Sequence, residues 1–171
     1  MNKADQMKKY LLLVSITIVS VIIDQITKLA IVDKFYLGES IPVINNFFHF
    51  TYVRNTGAAF GMLGKLPEAV RVPFFVMIPI VALVLVGYYY YKTPYSNKFT
   101  LIAFSLISGG AIGNLIDRAR LNYVIDFLHF FVGDWHFAVF NIADSVITVG
   151  VAIILIGIIY EDYIIKRKKV S

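Results

Sequence analysis

Two aspartates, Asp126 and Asp144, are the residues of this sequence with the most distinctive chemistry. They lie in "YVIDFLHF" and "FNIADSVITVG", and neither has a Lys or Arg within a helical turn of it. Asp144 lies near the start of a long apolar run. A charged side chain inside a membrane costs about 2.5–3.5 kcal/mol on insertion scales, so a carboxylate kept there is typically functional. Two carboxylates that lie close together share a proton, and such a pair can activate water against a carbonyl group. The sequence therefore predicts an acid–base pair, provided that the fold brings the two together.

The composition indicates a membrane protein. Hydrophobic residues make up 58% of the chain and charged residues 16%, and the mean hydropathy is +0.74. Soluble domains are typically about 45–50% apolar and 25% charged. The 171 residues predict a single integral membrane domain, 1–171. The sequence has no cysteine, which excludes disulfides, thiolate metal sites and a cysteine nucleophile.

Four apolar runs, at about 10–32, 72–91, 99–118 and 138–160, are each long enough to cross a bilayer. The first also resembles a signal peptide. It has no small-x-small cleavage site and continues into Asp24–Lys28, which predicts a retained span. The segments between the runs on the outer side are about 33–71 and 119–137. Alternating residues in 41–60 predict strands of a small sheet, and 62–71 predicts a short interfacial helix or a lid.

Basic residues predict the orientation in the membrane. Lysines and arginines concentrate at the two chain ends and on the short segment between the second and third runs. The positive-inside rule then places both termini in the cytoplasm. Since the net charge of +5 comes largely from these flanks, no nucleic-acid partner is expected, but anionic phospholipids are. Tyr88–Tyr91 are interpreted as lipid anchors at the inner interface.

Polar residues gather near the outer ends of the predicted helices. Asp24 and Lys28 are spaced i,i+4, which favours a structural ion pair. Gly109 and Gly113 form a Gly-x-x-x-Gly spacing, whose default interpretation is close helix packing. The other members of the set are Asn114, Asp117, Arg118 and Asn141, and the two asparagines are expected to hydrogen-bond across helices. With Asp126 from the segment after the third run, four segments deliver polar groups to one plane, and a functional site is predicted there.

Other catalytic classes lack their motifs. There is no His-Glu-x-x-His, and His49, His129 and His136 lack metal-ligand spacing. Gly-x-Ser-x-Gly is also absent. No metal or cofactor is therefore expected. A proton-coupled transporter that uses intramembrane carboxylates and a scaffold whose polar cluster only holds helices together remain open as alternatives.

Five motifs together resemble the bacterial lipoprotein signal peptidase family, also called signal peptidase II. They are "DQITK" (24–28), "RNTGAAFG" (54–61), "GGAIGNLIDR" (109–118), "VIDF" (124–127) and "FNIADS" (140–145), in family order along nearly the whole chain. The resemblance implies an all-α polytopic fold with four transmembrane helices, a small extracytoplasmic β-cradle and a loop helix. It also implies an aspartic endopeptidase of the bacterial cytoplasmic membrane. That enzyme removes the signal peptide of diacylglyceryl-modified prolipoproteins just before the lipidated cysteine.

The same resemblance assigns roles to individual residues. Asp126 and Asp144 match the family's catalytic pair. Substrate-binding or supporting positions match Asn55, Gly109, Asn114, Arg118 and Asn141, and structural polar positions match Asp24 and Lys28. Ala138 stands where many members have proline, which leaves the pair untouched. Nothing in the sequence requires more than a monomer.

Overall fold

Four long helices form the framework of the protein. The computed structural model describes residues 2–57 and 67–170. The helices are α1 (Lys3–Lys34), α2 (Glu68–Lys92), α3 (Lys98–Leu121) and α4 (Ile142–Val170). Each is long and apolar enough to cross a membrane, as predicted. Helix α1 begins at Lys3 rather than near residue 10, because the Asn2 side chain accepts the Asp5 N–H at 2.7 Å and caps the helix.

Helix α4 also begins elsewhere than the apolar run suggested, at Ile142 instead of about 138. Phe140 is extended and forms a bridge with Leu128, which keeps the preceding residues out of the helix. A reciprocal cap then fixes the helix start. Asn141 Oδ1 accepts the Asp144 N–H at 3.0 Å, and Asp144 Oδ2 accepts the Asn141 N–H at 3.2 Å.

Helix α3 lies at the centre of the bundle and packs against the other three helices. Glycine allows the close approach. A Cβ added at Gly109 would lie 2.6 Å from Ser20 Cβ of α1, and one at Gly113 would lie 2.6 Å from Asp24 Oδ2. The predicted close packing of this glycine pair is therefore confirmed, and Gly113 is what lets the buried carboxylate of Asp24 lie against α3.

A four-stranded antiparallel sheet lies at one end of the bundle. Its strands, in order, are β1 (Ser40–Ile44), β2 (Phe48–Asn55), β3 (Val124–Val132) and β4 (Trp135–His136). The strands predicted within 41–60 are confirmed. Of the predicted helix or lid at 62–71, residues 62–66 lie outside the described residues, and 68–71 belong to α2.

An apolar cluster attaches the sheet to the helices. Ile31 of α1 packs with Tyr52 of β2 and with Ile125 and Phe127 of β3, and all four are buried. Partly buried residues from the end of α3 and the start of α4 pack around them. This cluster thus holds the sheet, and β3 in particular, against the helix ends that carry the polar residues.

At the opposite end of the bundle, one of the four tyrosines interpreted as lipid anchors is buried, beside a buried lysine. Tyr88, Tyr89 and Tyr91 are exposed on the helix surface, but Tyr90 is 1% exposed and donates its hydroxyl to the Lys9 carbonyl. Lys9 is buried too, with Nζ 2.7 Å from the Thr93 carbonyl oxygen and 3.0 Å from that of Tyr91. Both residues join α1 to the end of α2, so the lipid-anchor interpretation is wrong for Tyr90.

Candidate active site

A cavity of about 590 Å³ opens where the sheet meets the helix ends. Its wall is mainly apolar, and the apolar lining comes from residues 137–140, from Val124 of β3 and from Ile147 of α4. Polar groups enter it from four elements: Asn55 from β2, Asn114 and Arg118 from α3, Asp126 from β3 and Asp144 from α4. A mainly apolar cavity with a few convergent polar groups is the usual form of a ligand site.

Local structure explains how the two aspartates reach this cavity. Asp126 lies on β3 opposite Val53 of β2, next to an irregularity in the strand register between Phe50 and Val53. Asp144 lies in the first turn of α4. A helix N-terminus has unpaired N–H groups and a partial positive charge, both of which favour a carboxylate there.

Amide groups hold all four carboxylate oxygens. Asp126 Oδ2 accepts from Asn55 Nδ2 at 2.9 Å, and its Oδ1 accepts from Asn141 Nδ2 at 2.7 Å. Asp144 Oδ1 accepts from Asn114 Nδ2 at 2.7 Å, and its Oδ2 accepts the Asn141 N–H. Asn141 therefore bonds to both aspartates and fixes one relative to the other.

The surroundings of Asp126 change its acidity. Burial, followed by the negative charge of Asp144, raises the pKa of the Asp126 carboxyl to about 7. The amide donors of Asn55 and Asn141 oppose this rise because they favour the ionised form. Near neutral pH this carboxyl therefore exists in both protonation states, as proton transfer requires.

A buried ionic cluster lies directly behind the cavity. Lys28 Nζ is 2.8 Å from Asp24 Oδ2 and 2.9 Å from Asp117 Oδ2, with all three side chains at most 3% exposed. It also donates to Asn114 Oδ1 at 3.0 Å, and Asn141 Nδ2 donates to the same oxygen at 3.1 Å. The predicted Asp24–Lys28 ion pair, the cross-helix asparagine contact and the gathering of polar residues are all confirmed.

Hydrogen bonds connect this cluster to α4 and β3, the elements that carry Asp144 and Asp126. Asp24 Oδ1 accepts the Ala143 N–H at 2.9 Å in the first turn of α4, and Asp117 Oδ2 accepts the Ile125 N–H at 3.2 Å, one residue before Asp126. Gln25 Nε2 donates to Asp117 Oδ1 at 3.0 Å. The sequence analysis did not assign a role to Gln25. Its amide within an apolar run was the available signal.

The remaining predicted site residues lie in different places. Arg118 lines the cavity, with its guanidinium carbon 5.5 Å from the Phe75 ring centre, and no acidic oxygen of the described residues forms a salt bridge with it. Gly109 is not among the cavity-lining residues and packs against α1. Among the side chains that the structure describes, no group of three or more His, Asp or Glu is placed to hold a metal ion.

Fold and site together define a class: a multi-pass membrane protein with two hydrogen-bonded carboxyl groups in one cavity at the end of its helix bundle. Comparison with known proteins identifies the family. The sequence model of the family described as signal peptidase (SPase) II matches residues 16–160 of this chain. The chain belongs to this family of membrane proteases.

Similar proteins cover nearly the same length. The lipoprotein signal peptidase of Syntrophus aciditrophicus (strain SB) is 42% identical over 91% of this chain and 98% of its own. That of Clostridium tetani (strain Massachusetts / E88) is 40% identical over 90% and 96%. A bacterial membrane enzyme solved by the in meso method at 2.3 Å resolution superposes with a TM-score of 0.78 at 39% identity, covering 88% of each chain. The chain has four helices that are apolar enough to cross a membrane, and it belongs to this bacterial family. Together these two findings indicate a multi-pass protein of the inner membrane.

Proposed function

We propose that this protein is an aspartic endopeptidase that removes the signal peptide from diacylglyceryl-modified prolipoproteins, cutting just before the lipidated cysteine. The observation that carries the proposal is the arrangement of Asp126 and Asp144. Both line one cavity, Asn141 bonds to both, and the charge of one raises the pKa of the other. Family membership and the names of the similar proteins support the substrate class.

The two carboxyl groups supply the acid and the base of peptide hydrolysis. The ionised member takes a proton from a water molecule, and the water oxygen attacks the carbonyl carbon of the scissile bond. The protonated member hydrogen-bonds to the carbonyl oxygen while negative charge develops there. The protonated member then gives its proton to the leaving nitrogen, and the C–N bond breaks to release a carboxyl group and an amine. The proton that the other member took from water stays on the pair, which therefore again carries one proton. Because its pKa is about 7, Asp126 is the proposed proton carrier, and Asp144 is the proposed base.

The cavity wall suits a substrate that is partly lipid. Its apolar part, residues 137–140 with Ile147 of α4, provides a surface for acyl chains or for the apolar part of a signal peptide. Arg118 offers guanidinium N–H groups to a peptide carbonyl or to a lipid head group. Asn55 lies at the same wall, beside Asp126.

The proposed orientation places both termini in the cytoplasm and the sheet and cavity at the outer face. The basic chain ends support it through the positive-inside rule. An enzyme that receives lipidated substrates from the bilayer needs its cavity near an interface. We propose that it works there as a monomer, in contact with membrane phospholipids.

The test is cleavage of a diacylglyceryl-modified precursor by purified wild type, Asp126→Asn and Asp144→Asn, followed by gel shift. Mass spectrometry of the product locates the cut. We expect the wild type to cleave just before the lipidated cysteine and each variant to lose at least about 10³-fold in rate, since removing either member stops the proton transfers.

Controls separate catalysis from folding and from other functions. Melting curves must show that both variants remain folded, and the same precursor without its lipid should be a poor substrate. Cleavage at the wild-type rate by a folded Asp126→Asn or Asp144→Asn would refute the assignment. Loss of folding in both variants would favour the scaffold alternative, and ion flux in proteoliposomes without cleavage would favour the transporter.

A further inference from the structure

The buried ammonium group of Lys28 has an unusual combination of partners. It contacts the acids Asp24 and Asp117, and it also donates to the neutral amide of Asn114 at 3.0 Å. Lys28 itself does not line the cavity. The ion pairs account for its burial, but they do not explain why its third donor is directed at an amide that bonds to Asp144.

An asparagine amide has two ends, and a lysine distinguishes them. An ammonium group only donates hydrogen bonds, so the Asn114 atom that faces Lys28 has to be the oxygen. The Nδ2 end then faces the other way, where it donates to Asp144 Oδ1 at 2.7 Å. If the amide turned over, its oxygen would face the carboxylate oxygen and its N–H₂ would face the ammonium group, which is unfavourable at both ends.

Asn141 restrains the same amide less completely. Its Nδ2 has two hydrogens but lies within hydrogen-bond distance of three acceptors, at 2.7 Å from Asp126 Oδ1, 3.1 Å from Asn114 Oδ1 and 3.3 Å from the Ile125 carbonyl oxygen. The shortest of these contacts goes to Asp126. A charge-assisted bond from Lys28 is the stronger restraint on Asn114.

We propose that Lys28 is a positioning residue for the reaction: it fixes the orientation of the Asn114 amide, and the amide in turn supplies the N–H that holds Asp144 in its ionised form. This inference rests on the proposed function. Asp24 and Asp117 complete the arrangement because they compensate the charge of Lys28, which is buried with them. The ion cluster thereby acts on the chemistry of the cavity without contacting the substrate.

The test has to remove the lysine without leaving two unpaired buried acids. In the Asp117→Asn background, Lys28→Met removes the ammonium group and keeps a side chain of similar length. The cluster then has the same net charge as in the wild type, because one acid and one base have been neutralised together. Asp117→Asn alone is the matched reference, since it keeps the Lys28–Asn114 bond.

A double-mutant cycle then tests whether Lys28 acts through Asn114. Single-turnover cleavage of the lipidated precursor, with enzyme in excess, is measured for the reference and for its Lys28→Met form, each with Asn114 or with Asn114→Ala. With Asn114 present, we expect Lys28→Met to lower the rate constant about 10- to 100-fold. The half-saturating enzyme concentration should stay within about twofold, because Lys28 lies outside the cavity. With Asn114→Ala, Lys28→Met should change the rate less than about twofold.

Equal losses in the two backgrounds would overturn the proposal, because they would mean that Lys28 acts on the fold and not through Asn114. If the Lys28→Met form shows no cooperative melting, Lys28→Gln enters the same cycle under the same criteria. A wild type that leaves the precursor intact would overturn the proposed function and this role with it. A wild type that cleaves, together with equal losses, would overturn only the role of Lys28.

Discussion

Removing the hydrogen bond between Asn55 and Asp126 should change the pH dependence of the cleavage rate by an amount that can be calculated. The active form of the proposed pair carries one proton, and Asp126, with a pKa of about 7, loses that proton on the alkaline side. Asn55 Nδ2 donates to Asp126 Oδ2 at 2.9 Å, which favours the ionised form. Asn55→Ala removes this donor, so the proton should stay on the pair to higher pH.

The size of the shift follows from one hydrogen bond to a charged group. Such a bond contributes about 1.5–3 kcal/mol, and one pKa unit corresponds to about 1.4 kcal/mol. The alkaline limb of the pH–rate profile should therefore move up by about 1–2 units. The lower value is the better expectation, because Asn55 is partly exposed and water can replace the lost donor.

The assay is the cleavage rate of the lipidated precursor from pH 5 to 10, normalised to each enzyme's own maximum. Normalisation matters because Asn55 lines the cavity and its loss will also lower the maximal rate. Thr51→Val, on the same strand but hydrogen-bonded to Ser40 and His129, serves as the matched control and should leave the limb in place. An alkaline limb that stays fixed or moves to lower pH in Asn55→Ala would refute the reasoning.

Two further predictions concern stability. Gly113→Ala should lower the free energy of unfolding by about 1–3 kcal/mol, because its Cβ would lie 2.6 Å from Asp24 Oδ2; Gly87→Ala, with nothing within 4 Å, is the control, and equal melting temperatures would contradict the packing argument. Burial and the neighbouring charge of His136 lower the pKa of His129, so the unfolded chain takes up this proton first as pH falls below about 6.5 and stability is lost there. Between pH 7.5 and 5.5, the melting temperature of His129→Gln should therefore fall less than that of the wild type. Equal falls in the two proteins would contradict a contribution of His129 to the loss of stability at acid pH.

The sequence alone determined the helices and the identity of the polar residues. A run of about 20 apolar residues has to form a helix in a bilayer, because its backbone polar groups find no other partners there. This requirement is local, so all four helices were predictable. Asp24 and Lys28 were also predictable as a pair, since their i,i+4 spacing puts them on one helix face.

Only the tertiary structure decided which polar group bonds to which. Lys28 meets Asn114, 86 residues away, and Asp24 caps α4 at Ala143, 119 residues away. No local periodicity encodes such contacts, because they depend on how α1, α3 and α4 pack together. The true start of α4 was hidden for the same reason: the bridge between Phe140 and Leu128 overrides an apolar run that would otherwise continue the helix. The chain thus specifies its chemical groups locally, whereas their hydrogen-bond order arises only when the helices and the sheet come together.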